Sequence, residues 1–405
     1  MWKNTVYNTI GTFLYFFLQW VTTIVVVWFV GYTEAGIFSL VVSFTNIFGF
    51  LSKYGMRNYQ ISDIKREYTD GQYFGARLLA IGAAAVCFTV ALLLCRFDSN
   101  TALCCIAYMA FKFLEALTDF LFGIFQRLNQ YKPIMLSYAL KGFFSLAGFI
   151  AGLYWLHDLF WAIVVMTLLY LAVVLFYDLP VIHKHEKIGC SFQGSKRLFL
   201  VCTPLMLSTL ITPYMTFIVR YMIEQLYGQE QLGYYSTISM VVVVMTTLAG
   251  SIWVVLLPSI SKYFQSGEYK KLKNILIKIV CLIFAAGAAV IALGALLGPW
   301  VFGLFFGKSI LAYMYLLVPV LAASVLLTAT AFFGTVLIPL QRRGAMLWCN
   351  VIGAVACTAA AYPLTKADGM MGANNSLILG LVVQLLLLSG VTMFALREKE
   401  ARKNV

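Results

Sequence analysis

Runs of apolar residues about 20 long recur along the whole chain, separated by short polar stretches. A helix of that length crosses the roughly 30 Å hydrocarbon core of a bilayer. About twelve such runs can be drawn, around 8–30, 34–52, 76–95, 102–125, 134–155, 159–179, 199–221, 232–256, 276–297, 310–337, 344–364 and 375–396. The pattern predicts an all-α integral membrane protein. The first run is long and studded with polar residues, and no small-residue cleavage site follows it, so it is expected to stay as the first helix rather than to leave as a signal peptide. The longest polar connection, Pro180 to Arg197, is too short for a folded soluble domain, so any function is expected to lie in the membrane.

Composition agrees. Of 405 residues, 62% are hydrophobic and only 11% charged, a balance foreign to water-soluble domains. The net charge of +13 would point to nucleic acid in a soluble chain, but here it is first a topology signal. With the N-terminus in the cytoplasm, every basic residue falls in an inner segment except Arg96, Arg220, Lys308 and Lys366 outside and Lys112 and Lys141 within the runs. The positive-inside rule then predicts both termini in the cytoplasm, and no nucleic-acid partner is expected. Cys87, Cys104, Cys105, Cys202, Cys281, Cys349 and Cys357 sit inside apolar runs and read as small buried hydrophobes, without metal spacing.

A weak internal repeat divides the chain. Glu34-Ala35-Gly36-Ile37-Phe38-Ser39 at the start of the second run echoes Gln231-Leu232-Gly233-Tyr234-Tyr235-Ser236 at the start of the eighth. Two six-helix halves follow, 1–180 and 199–405, joined by a basic linker at 181–198 that carries His183 and His185.

Charges inside spanning helices are costly and therefore informative. In the fourth run Tyr108, Lys112, Glu115, Asp119 and Gln126 fall on one narrow helical arc that must face protein or water. The antiparallel fifth run places Lys141 at the depth of Asp119, with Ser137 and Ser145 one turn to either side. One reading is purely structural: Asp119 pairs with Lys141, and Lys112 with Glu115. The other is that these groups line a wet cavity and bind a charged substrate or a coupling ion. Polar arcs elsewhere favour the cavity: Asn8, Thr12, Tyr15, Gln19 and Thr22 in the first run, Ser39, Ser43 and Asn46 in the second, and Thr209, Thr212, Thr216 and Arg220 in the seventh. Pro204 and Pro213 bend that seventh helix. Neither a phosphate-binding glycine loop nor a metal-ligand spacing is present, so no cofactor and no enzymatic chemistry are expected. Twelve helices, two halves and a hydrated centre describe a secondary transporter.

Several segments resemble a known family. Asn8-Thr9-Ile10-Gly11, Ala35-Gly36-Ile37-Phe38-Ser39-Leu40, Gly55-Met56-Arg57-Asn58-Tyr59-Gln60-Ile61-Ser62-Asp63 and the run from Arg220 to Ser236 are similar to the polysaccharide-transport (Wzx-type) flippases of the MOP superfamily. The resemblance implies a MOP-type fold of two six-helix bundles in a bacterial cytoplasmic membrane. It also implies export of an undecaprenyl-diphosphate-linked oligosaccharide by alternating access, driven by a proton or sodium ion, with membrane lipids and a polysaccharide polymerase as partners. Lys112, Lys141, Arg220, Arg57, Gln19 and Asn46 would contact the substrate, and Glu115 and Asp119 would couple the ion. The set Lys112, Glu115, Asp119 and Lys141 carries no net charge, which departs from the cationic lumen expected of the family. A multidrug or cation exporter of the same superfamily is the nearest alternative, and a membrane acyltransferase or polymerase a more distant one.

Overall fold

The computed structural model describes residues 2–63, 66–184, 188–337, 340 and 342–403. His185 lies outside the described residues. The chain folds into helices in the order α1 (Trp2–Lys53), α2 (Met56–Ser62), α3 (Asp70–Cys95), α4 (Ser99–Arg127), α5 (Tyr131–Leu156), α6 (Leu159–Val173), α7 (Leu179–His183), α8 (Ser195–Tyr227), α9 (Gln229–Gln265), α10 (Tyr269–Phe306), α11 (Leu317–Leu337) and α12 (Arg343–Lys403). Among the described residues, nine helices are long and apolar enough to cross a membrane.

Two of the helices are too long for one crossing, and both are broken where the backbone leaves helical geometry. In α1 the break is Gly31, at φ 86° and ψ −172°, where glycine takes a conformation that side chains disfavour. In α12 it is Asp368 and Gly369, the latter at φ 61°. Once these breaks and α9 are taken into account, the helical segments other than the short α2 and α7 correspond one to one with the apolar runs of the sequence. Starts are marked by side-chain caps. Thr69 and Gln72 form a reciprocal capping box ahead of α3, while Asp98 and Asp158 accept from the Thr101 and Trp161 amides at α4 and α6.

The chain divides into two compact units, Met1–Tyr214 and Met215–Val405, and the division falls within α8. In the first unit α1 packs along α5, closely enough that a Cβ on Gly11 would stand 2.7 Å from the Met135 backbone. Aromatic side chains fill the space around α4, with Phe111, Phe120, Phe122 and Phe125 all buried. In the second unit, Leu276, Ile283, Val325, Phe332 and Leu388 join α10, α11 and α12 in one core. Two cysteines depart from the expectation of burial in protein. Cys87 and Cys281 are exposed on their helices, on faces that a bilayer rather than the protein would cover.

Candidate functional site: a charged cavity in the first unit

The acidic centre comes from α4, where Glu115 and Asp119 stand one turn apart and share a face. Glu115 accepts a 2.6 Å hydrogen bond from the Tyr15 hydroxyl of α1, and the Lys112 and Lys53 ammoniums lie at 3.0 and 3.5 Å. Asp119 holds a guanidinium on each oxygen, Arg57 of α2 at 3.3 Å on Oδ1 and Arg77 of α3 at 2.9 Å on Oδ2. Arg77 is 1% exposed, and its Nη1 donates to the Ser52 and Lys53 carbonyls at 3.3 and 2.6 Å. Those carbonyls end α1, where helix geometry leaves acceptors free and a cation is favoured. Arg57 also donates from Nε to Gln126 at 3.1 Å and lies over the Phe122 ring.

These groups border a cavity of about 280 Å³, lined by Tyr15, Asn46, Lys53, Lys112, Glu115 and Asp119, with phenylalanine and tyrosine rings between them. Lys112 lies across Gly49, where a Cβ would stand 3.3 Å from its Cδ, and its ammonium faces the Tyr108 ring at 5.2 Å. The polar arc of α4 therefore does border a cavity, and the Lys112–Glu115 pair forms as the sequence predicts. Asn46 lines the cavity; Gln19, half-buried one turn beyond Tyr15, is outside that lining.

Lys141 is elsewhere. It is fully buried, so it lies away from the cavity surface, and it pairs with Asp178 rather than with Asp119 as its depth predicts. The reason is positional. Asp119 is claimed by Arg57 and Arg77, while Asp178 ends a π-helical turn, Val174–Asp178, that continues α6 alongside α5. Thr118 completes the contact, accepting from Lys141 Nζ at 2.9 Å.

Arg220 belongs to the second unit. There it lines a separate cavity of about 190 Å³ with Thr216, Tyr235, Ser239 and Asn374. The Tyr235 hydroxyl donates to Asn374 Oδ1 at 3.2 Å, and no carboxylate in the described residues is within ion-pair distance of Arg220.

Sequence reasoning missed Arg77 and Asp178. By the charge distribution Arg77 counts among the inner basic residues at the very start of the third apolar run, but α3 starts at Asp70 and places it two turns into the helix. The signal was present in Thr69-Asp70-Gly71-Gln72, whose capping-box spacing marks the true start. Asp178 sits at the end of the sixth run and has no partner in its own helix, so nothing local revealed its role. Adding the missing groups changes the charge sum. Lys53, Arg57, Arg77 and Lys112 face only Glu115 and Asp119, so the ion-pair cluster holds two more positive than negative charges, with Lys53, Lys112, Glu115 and Asp119 on the cavity surface and Arg57 and Arg77 behind it.

The family model for polysaccharide biosynthesis proteins matches residues 1–264, the whole first unit and the start of the second. The chain belongs to this family. Among curated proteins it is similar to the capsular polysaccharide biosynthesis protein CapF of Staphylococcus aureus, at 26% identity over 207 residues, 49% of this chain and 51% of that protein. The match therefore spans about half the length of that relative. Solved structures give the fold. The eukaryotic MATE transporter AtDTX14 superposes with a TM-score of 0.72 at 15% identity, over 99% of this chain and 98% of that one. An inward-facing multidrug resistance MATE transporter of the MOP superfamily gives 0.70 at 14% identity, over 99% and 96%. A MOP superfamily transporter from Pyrococcus furiosus gives 0.67 at 14%, again over 99% and 96%. This member of the polysaccharide biosynthesis family thus has the all-α, multi-pass membrane fold of the MATE and MOP structures it superposes on.

Proposed function

We propose that the protein flips an undecaprenyl-diphosphate-linked oligosaccharide from the cytoplasmic to the outer leaflet of a bacterial cytoplasmic membrane, by alternating access, during surface polysaccharide synthesis. The observation that carries this reading is the cationic surplus of the ion-pair cluster that backs the first unit's cavity. Lys53 and Lys112 line it directly, and Arg57 reaches Asp119 at its edge. A diphosphate is a good match for such a cluster, because it offers several anionic oxygens to donors now shared between two carboxylates. Glu115 and Asp119 act as counter-charges that the diphosphate displaces. Asn46 and Gln19 offer amides to the sugar hydroxyls, and Arg220 offers a cation to the substrate at the second unit's own cavity. The lipid tail stays in the bilayer, beside helices whose exposed residues include Leu93, Leu94 and Trp155.

On this reading both termini and the 181–198 linker face the cytoplasm, as the distribution of basic residues predicts, and a polysaccharide polymerase takes the product on the other side. Coupling is to a proton or sodium gradient. A cation or multidrug exporter could be built on the same fold, but its substrate would meet the same positive surplus that favours a diphosphate.

Deletion of the gene should leave lipid-linked repeat units facing the cytoplasm, measured by their inaccessibility to an external glycosidase. Normal surface glycan in a deletion strain lacking paralogues would refute the proposal. Drug sensitivity with unchanged glycan would favour the exporter.

A further inference from the structure

Lys141 and Asp178 form an ion pair in which neither side chain is exposed at all. Burying two charges costs more than a pair usually returns, and apolar residues of similar volume hold helices together at least as well. Simple adhesion of α5 to the end of α6 therefore does not account for the pair. Three further features surround it. Asp178 Oδ1 is buried and has no hydrogen-bond partner, and neither do the Ser137 and Ser145 hydroxyls one turn either side of Lys141. Such orphaned atoms are uncommon in folded proteins and call for an explanation. The pair also sits on the π-helical turn Val174–Asp178, an irregularity that occurs often at functional sites. Finally, it has a route to water. Thr118 and Tyr170 line the charged cavity, the Tyr170 hydroxyl donates to Thr118 at 3.2 Å, and Lys141 donates to the same Thr118 oxygen at 2.9 Å.

We propose that the Lys141–Asp178 pair is a proton-binding site, loaded from water in the first unit's cavity, from which the Thr118 and Tyr170 side chains separate it. Loading adds one proton from a cavity hydronium to the open lone pair of Asp178 Oδ1, forming a neutral carboxyl and leaving a water in the cavity. Lys141 keeps its positive charge and loses its counter-charge. The charged and titratable groups around the pair are then Glu115 of α4 and the Tyr170 ring of α6 at Lys141 and Tyr177 of the π turn at Asp178, with Tyr15 of α1 and Tyr138 of α5 beyond them beside Glu115 and Tyr170. Of these only Glu115 is a carboxylate, and it is the one that holds Lys112 and Lys53. Proton binding thereby competes for Glu115 and frees two lysines at the cavity for an anion. Unloading reverses each step. That consequence rests on the flippase reading; binding of the proton does not.

The test is an infrared pH titration of the full chain in lipid nanodiscs. Acidification should produce a buried carboxyl C=O band that Glu115→Gln retains and Asp178→Asn abolishes. A band that survives Asp178→Asn overturns the proposal, as does the absence of any band in the unaltered chain. Asp178→Asn leaves Lys141 without its counter-charge and can fail to fold, so the apolar double variant Lys141→Met, Asp178→Leu is measured beside it. That variant should fold, lack the band, and export lipid-linked glycan at a rate no longer raised by an acid-outside gradient. Retained gradient dependence overturns the coupling role. If the cargo proves to be something else, the infrared result stands while only the export readout fails, so the two readings fail separately.

Discussion

Removing Asp119 strands a buried cation. In Asp119→Ala, Arg77 remains 1% exposed and keeps only the Ser52 and Lys53 carbonyls as partners. Breaking a buried ion pair from one side costs about 3–5 kcal/mol, which is a shift of roughly a hundredfold to several thousandfold in the folding equilibrium. Arg57, the other partner, contributes far less to this cost, because its side chain is 19% exposed and cavity water can take up its donors. Arg57→Ala should therefore cost about 1 kcal/mol or less, and Asp119→Ala several times more. The double variant Arg77→Met, Asp119→Leu removes both buried charges and should recover most of the lost stability, yet still transport poorly because Arg57 has lost its anchor. Thermal unfolding followed by fluorescence-detected size exclusion in one detergent measures all four proteins. An Asp119→Ala protein as stable as the parent, or a double variant no better than the single, would refute the assignment of Arg77 as the buried charge that Asp119 neutralises.

Other outcomes follow from the same geometry. Lys112→Ala should abolish export at normal protein levels; if Lys112→Ala with Glu115→Ala restores it, the lysine serves only to neutralise Glu115 and does not hold the diphosphate. Cys190 is exposed in the linker, so in a chain whose other cysteines are replaced it should react with a membrane-impermeant maleimide in everted vesicles and not in intact cells; the opposite pattern would invert the topology. Gly152 meets the Ala162 backbone at 2.5 Å from an added Cβ, so Gly152→Val should force α5 and α6 apart and cost about 1–3 kcal/mol, visible as a lower unfolding temperature. Arg220→Ala should weaken export without lowering stability, since the guanidinium has no ion-pair partner among the described residues to abandon; a large drop in unfolding temperature would count against a substrate role.

The helices were legible because burial in a bilayer imposes a length and a composition that survive in one dimension. Lys112, Glu115 and Asp119 were legible for the same reason: an ionisable residue inside an apolar run stands out against its neighbours, and spacing of three and four places it on one face. The Lys112–Glu115 pair is local, so helical geometry alone brings it together. The remaining pairs join residues far apart in sequence, Arg77 to Asp119 and Lys141 to Asp178, and no periodicity connects them. Depth alone matches Lys141 to Asp119; the azimuth of α5 and the competing Asp178 carboxylate on the π turn decide the pairing instead.

By itself, then, the sequence determined the membrane, the helices and their order, and the face of α4 on which charge is displayed, since each of these depends on residues within one helix of one another. Tertiary structure alone decided which charges meet. It turned a neutral quartet into a cationic cluster by bringing in Lys53, Arg57 and Arg77, and it withdrew Lys141 into a closed pair with Asp178. The physical reason is that charge pairing inside a bilayer is settled over a few ångströms between helices, and those distances are set by packing at glycines such as Gly11 and Gly152 rather than by any spacing along the chain.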